Sequence, residues 1–106
     1  MPTGIEFTLS NGLVTVIDQT DLQKVSRWHW HARNCRSSFY VARTTSLHAE
    51  GVRTVKNIYM HRFLMAAPAD MQVDHLNGDT LDNRRANLEI VTKDENLARR
   101  LHGRKI

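Results

Sequence analysis

The segment from Asn77 to Asn87 constrains this chain more than any other. It packs Asn, Asp, Gly and Arg so densely that no regular element can hold it. Side-chain-to-backbone hydrogen bonds must shape it instead. Short apolar runs flank it, Gln72 to His75 and Leu88 to Val91, and both read as strands. Thr92-Lys93-Asp94-Glu95 follows with capping-box spacing, Thr92 at the N-cap and Glu95 at N3. A helix is expected from Lys93 to about Leu101, burying Leu97 and Leu101 one turn apart and ending near Gly103. The order is strand, long loop, strand, helix.

That helix start contains an anomaly. Val91 precedes the cap and Asn96 is at N4, the two positions that usually form a hydrophobic staple. An inward-facing Asn needs partners or costs about 1–3 kcal/mol. Asn96 either caps the neighbouring loop or faces a site and holds a metal. Asp74-His75, at the end of the first strand, sets an anionic oxygen beside an imidazole. Neighbours on a strand point to opposite faces, so the two can share a site only where the strand ends or twists. One carboxylate and one amide oxygen leave positions open for waters and phosphate oxygens, the coordination Mg²⁺ prefers.

The first half reads as short β hairpins. Ile5, Phe7 and Leu9 alternate with polar residues, Asn11-Gly12 signals a turn with both residues at positive φ, and Leu13 to Ile17 returns. Thr20 and Gln23 have capping-box spacing for a helical turn from Asp21 to Val25. Trp28 to His31 reads as a strand, Asn34 to Ser38 as a basic turn, and Phe39 to Ala42 as the returning strand. Residues 44–52 read as an exposed loop ending at Gly51, and Val55 to Tyr59 as a further strand. Met60 to Ala66 has helical spacing and stops before Pro68.

Composition narrows the chemistry. The chain has 106 residues, with 15 Lys+Arg against 11 Asp+Glu, and its pI is about 9.7. That balance suits a polyanionic partner. Cys35 is the only cysteine, which excludes an intrachain disulfide framework and a cysteine-pair zinc site. No apolar run is long enough to span a membrane, and the first residues lack a secretory pattern. A reducing cytoplasmic setting is the expectation.

The run Val73-Asp74-His75-Leu76-Asn77-Gly78-Asp79, then Leu81-Asp82-Asn83-Arg84-Arg85-Ala86-Asn87-Leu88, then Val91-Thr92 and Asn96, resembles the HNH motif. It is similar to the branch found in phage- and intron-encoded homing endonucleases, within the wider ββα-metal or His-Me finger group. Met60 to Met65 also looks like the segment that precedes the motif there. The resemblance implies that His75 is the general base and Asp74 a metal-binding acid. It implies that Asn87 is the central asparagine, which braces the loop and orients the histidine through hydrogen bonding. Asn96 takes the last position, a metal ligand. The family name expects His there, so this is an H-N-N variant, which favours Mg²⁺ or Mn²⁺ over a softer metal such as Zn²⁺.

The resulting expectation is an α+β protein. Residues 1–56 form an N-terminal β-hairpin module, and residues 57–106 form the ββα-metal motif. The expected activity is metal-dependent hydrolysis of double-stranded DNA, of nicking or homing type, leaving 5′-phosphate and 3′-hydroxyl ends. Arg84, Arg85, Arg99 and Arg100 are candidate phosphate contacts. His61 and Arg62 are possible additional site residues, with a buried structural role for His61 the alternative. Trp28 and Trp30 read as core rather than base-stacking platforms. Asp79, Asp82 and Asn83 read as turn builders, because the spacing and final Glu of a calcium loop are absent. A monomer is expected, with pairing through a sheet edge the alternative. A silent DNA-docking scaffold and an RNase or toxin with the same site remain as rival functions.

Overall fold

The computed structural model describes residues 4–36 and 38–101. Strands β1 (Gly4–Thr8) and β2 (Val14–Asp18) pair antiparallel, with Ile5 opposite Ile17. A 3₁₀ turn (Gln19–Asp21) leads into the single turn α1 (Leu22–Val25). Next come β3 (His31–Cys35), β4 (Ser38–Ala49) and β5 (Val52–Tyr59), an antiparallel sheet in that order. Helix α2 (Met60–Met65) follows, then β6 (Gln72–His75) and β7 (Leu88–Val91), paired antiparallel, and helix α3 (Lys93–Leu101). The architecture is mixed α+β, mostly strand with three short helices. None of the described helices is long and apolar enough to cross a membrane.

One core joins the two halves of the chain. Leu9, Ile17, Val25, Trp30, Val41, Met60 and Leu64 are buried together, with Phe63 and Leu81 packed against them. Each large side chain removed from water contributes about 1.5–3 kcal/mol. Trp30 stacks obliquely on Phe63 at 5.6 Å, and its indole N–H donates to the Val25 carbonyl at 2.8 Å. The β1–β2 hairpin docks on the 77–87 loop through the backbone: Val16 N–H donates to Leu81 O at 2.9 Å, and Asn83 N–H to Val16 O at 2.7 Å.

Several local expectations change. Trp28 to His31 is not a strand: the backbone N–H of Trp28 still bonds to the Val25 carbonyl, so β3 begins only at His31. Trp30 is core, but Trp28 is 42 % exposed, under the Arg43 guanidinium at 3.8 Å. Residues 44–52 are not a loop but the outer half of the β4–β5 hairpin, turning at Glu50 (φ 53°) and Gly51 (φ 77°). Both turn residues are left-handed, a type I′ geometry that Glu50 adopts at a cost, so the usual Asn-Gly signal is missing. At Asn11-Gly12 only Gly12 has positive φ. Asn11 instead clamps Ala32, donating through Nδ2 to its carbonyl and accepting its N–H. The N-cap of α1 is Asp21, and no side chain caps it.

At the other end of the chain, β6, β7 and α3 match their expected bounds. The capping box forms in both directions: Glu95 N–H donates to Thr92 Oγ1 at 3.0 Å, and Thr92 N–H to Glu95 Oε1 at 2.8 Å. Leu97 and Leu101, however, are exposed. The face of α3 turned toward β6 and β7 is the polar stripe of Asn96 and Arg99, which reaches Gln72, Asp74 and Glu89. The expected end near Gly103 lies outside the described residues.

Candidate active site

β6 carries Asp74 and His75 into the interior, each 3 % exposed. His75 is the last residue of the strand. The chain turns at once, with Gly78 at φ 80° donating its N–H to the His75 carbonyl at 2.9 Å. A side chain there would be strained, because that backbone region favours glycine. The strand end lets adjacent residues reach one cleft of about 330 Å³, lined by Asp74, His75, Gly78, Asn96, Tyr40 and Arg100. A second cavity adjoins it, sharing Tyr40 and Asn96 and adding Tyr59 and His61.

The loop holds its shape by the side-chain bonds its composition called for. Asn77 Oδ1 accepts Asp79 N–H, Asp79 Oδ1 accepts Leu81 N–H, and Asp82 Oδ1 accepts Arg84 N–H. Asn87 braces it from inside: Oδ1 accepts Asn77 N–H at 2.9 Å, and Nδ2 donates to the Asp82 carbonyl at 2.9 Å. The Arg84 guanidinium bonds Asp82 in bidentate fashion and holds its carboxyl below the usual carboxylate range. Thr80 Oγ1 ties the loop to β4 by donating to the Phe39 carbonyl.

The asparagine side chain hydrogen-bonded to His75 is therefore not Asn87, whose side chain is committed to the loop. It is Asn83, whose Oδ1 is 2.9 Å from His75 Nε2. Asn83 is 1 % exposed. Its Nδ2 donates to Thr15 Oγ1 at 3.0 Å, and Thr15 Oγ1 donates to the Leu81 carbonyl at 2.6 Å. A hydroxyl has one proton. Spending it on Leu81 obliges Thr15 to accept from Asn83, which turns the amide oxygen toward His75. His75 Nε2 must then carry hydrogen, so the lone pair of the neutral ring is on Nδ1. Neither Asn83 nor Thr15 was expected at the site. Thr15 is on a strand far away in sequence, and Asn83 carries the same local signal as its turn-building neighbours.

His61 packs its ring 4.9 Å from that of His75, and Tyr40 and Tyr59 pack at 5.6 and 5.9 Å from His61. Burial, then the neighbouring His75 and Arg62, push the His61 pKa down to about 3. His61 is thus a neutral ring wall. Arg62 closes the 66–71 loop, donating to the Met71 and Pro68 carbonyls at 2.7 and 2.8 Å.

The arginines part company. Arg84 holds Asp82, Arg85 holds Asp21 at 2.9 Å, and Arg99 bridges Asp74 at 2.9 Å and Glu89 at 2.7 Å. These guanidinium groups serve carboxylates of the fold. Arg100 lines the cleft beside Asp74 and His75.

The donor set fits a hard cation. Among the described residues no group of three or more His, Cys, Asp and Glu side chains gathers that could hold a metal ion. Asn96 donates through Nδ2 to Gln72 Oε1 at 2.6 Å, while its Oδ1 is buried without a hydrogen-bond partner among the described residues. An orphaned buried acceptor costs about 1–3 kcal/mol, and a cation would satisfy it. With the Asp74 carboxylate lining the same cleft, it offers a second oxygen to a cation bound there.

No curated protein and no solved structure matches the chain significantly. Residues 66–98, which span β6, the loop, β7 and the start of α3, match the family described as HNH endonuclease. The match covers about a third of the chain and supports a nuclease-type function for this segment.

Proposed function

We propose that the chain is a metal-dependent endonuclease of double-stranded DNA, of the nicking or homing type. The observation that carries this is the meeting of Asp74, His75 and Asn96 on one cleft, with the orphaned Asn96 oxygen among them. Residues 57–106 would supply the cutting motif. Residues 1–56 would supply the platform, with Thr15 reaching across to fix the base.

His75 Nδ1 takes a proton from water, and the water oxygen bonds to phosphorus in line with the departing 3′ oxygen. The phosphorus–O3′ bond breaks, leaving a 5′-phosphate and a 3′-hydroxyl that gains its proton from solvent. Asp74 and Asn96 would hold Mg²⁺ or Mn²⁺, which supplies positive charge at the phosphate and the leaving oxygen. Arg100 meets the scissile phosphate. Arg99 keeps the Asp74 carboxylate aligned, and Arg84 and Arg85 act one step back by holding the loop. Asn87 maintains the backbone from which His75 projects, and His61 and Tyr40 shield the base from bulk water.

Incubation of purified protein with supercoiled plasmid, with Mg²⁺ and with chelator, is the test. Cleavage is expected only with the metal. His75→Ala should lower turnover by roughly 10²–10⁴-fold, and an equal rate in that variant would remove His75 from the mechanism.

A further inference from the structure

The outer half of the β4–β5 hairpin belongs to no core. β3 pairs with β4 only as far as Ala42, and beyond it β4 has β5 alone as a partner, out to Ala49 opposite Val52. The side chains of this arm are mostly exposed, Leu47 by 67 % and Val52 by 62 %. The molecule is correspondingly long, 47 × 32 × 24 Å with a radius of gyration of 14.7 Å, against about 13 Å for a compact domain of this size. A two-stranded ribbon without an apolar face to bury is barely stable by itself. Its presence asks for a partner.

Register identifies which side of the ribbon leads to the cleft. Directly opposed residues in an antiparallel pair share a face, and side chains alternate along each strand. Tyr40 and Ala42 on β4 therefore share a face with Thr44, Ser46 and His48. Their opposites Tyr59, Asn57, Val55 and Arg53 on β5 complete it. Tyr40 and Tyr59 line the cavities around His61 and His75. The ribbon face is thus a continuation of the wall of the cutting site, carrying hydroxyls, an amide, an imidazole and a guanidinium outward. Arg43, Arg53 and Lys56 face a single acid on the arm, Glu50 at the turn. Basic groups on β5 also oppose edge-to-edge pairing with a second copy.

We propose that the β4–β5 ribbon lies in the major groove of the substrate duplex and reads base edges beside the cut. This rests on the nuclease reading above and deepens it. The major groove admits a two-stranded ribbon. Seven residue steps from Ala42 to Ala49, at about 3.3 Å each, give a reach of about 23 Å, or about seven base pairs at 3.4 Å. Arg53 and Lys56 meet phosphates on the groove walls. Ser46, His48 and Asn57 reach the base edges.

The experiment uses the full chain and two probes: a mixed-sequence 30-base-pair duplex, bound in chelator across a salt series, and a plasmid library with randomised inserts, cut with Mg²⁺ and sequenced at the ends. R53A/K56A should weaken duplex binding at least tenfold and reduce the salt slope by about 1.8, two phosphate contacts' worth. S46A/H48A should alter base preference within about seven base pairs on one side of the cut. Circular dichroism of both variants should match wild type, because the substituted side chains are exposed. Wild-type affinity and salt slope in R53A/K56A would overturn the proposal, as would a ribbon-dependent dimer in sedimentation. Duplex binding that depends on Arg53 and Lys56, without cleavage, would leave the ribbon standing and remove the nuclease reading instead.

Discussion

Thr15, far from His75 in sequence, and Asn83, eight positions after it, form the hydrogen-bonded chain that orients the His75 imidazole. Thr15→Val keeps the shape and removes the hydroxyl, leaving the Asn83 amide donor buried at a cost of about 1–3 kcal/mol. The amide is then free to present either end to His75, and its imidazole loses its fixed tautomer. Turnover should fall about tenfold or more with KM nearly unchanged, while Thr15→Ser restores it. Nitrogen NMR of His75 should show the Nε2–H form in wild type and Thr15→Ser and a mixture in Thr15→Val. A single tautomer in all three proteins would contradict the relay. At the proposed metal site, Asp74→Ala and Asn96→Ala should each weaken Mn²⁺ binding in calorimetric titration. Unchanged binding in either variant would exclude that residue as a ligand.

At the scale of elements, α3 is a short helix attached by polar contacts. Its described residues include no buried side chain, and Asn96 and Arg99 reach β6 through hydrogen bonds and an ion pair. The capping box therefore bears on the site as well as on the helix. Thr92→Ala should cost about 1 kcal/mol and raise hydrogen exchange along α3. It should also lower metal affinity, because Asn96 is in the second turn. Normal Mn²⁺ affinity with a frayed α3 would show that the cap matters to the helix alone. The capping box, β6, β7 and α3 were legible in the sequence because their signals are local. The β4–β5 ribbon was not, because Glu50-Gly51 hides a type I′ turn and the ribbon has no buried face to impose strict alternation.

For the whole molecule, the buried His61 couples acid to stability. Its folded pKa of about 3 is below the usual 6.5 of an unfolded histidine. Between those values the unfolded chain binds the extra proton, so stability is full above pH 6.5 and falls as pH drops toward 3. The slope is about 1.4 kcal/mol per pH unit, or about 2 kcal/mol from pH 6.5 to 5. Urea midpoints of wild type and His61→Gln should diverge in slope over that window, the variant being flatter. Parallel curves would show His61 protonating freely in the fold. If the proposed nuclease cuts as a monomer with one motif, supercoiled plasmid should pass to open circle well before linear DNA forms. Linear product appearing in step with loss of supercoil, at a rate rising with the square of concentration, would identify a cutting dimer.

The sequence by itself determined the strand–loop–strand–helix segment and the residues that meet in its cleft, Asp74, His75 and Asn96. Their placement depends on turns, caps and strand ends, which are closed by bonds between near neighbours. It also marked Asn87 as a brace. Tertiary structure decided the rest. It chose Asn83 over Asn87 as the partner of His75, through a contact with Thr15 spanning 68 positions. It committed Arg85 to Asp21 across 64 positions and Arg99 to Asp74 across 25, where charge counting saw only free cations. It turned Leu97 and Leu101 outward because the hairpin facing α3 offers carboxylates and an amide instead of an apolar surface. Periodicity and capping report bonds made within a few residues. The partner of a buried amide or guanidinium is fixed only when distant strands close around it.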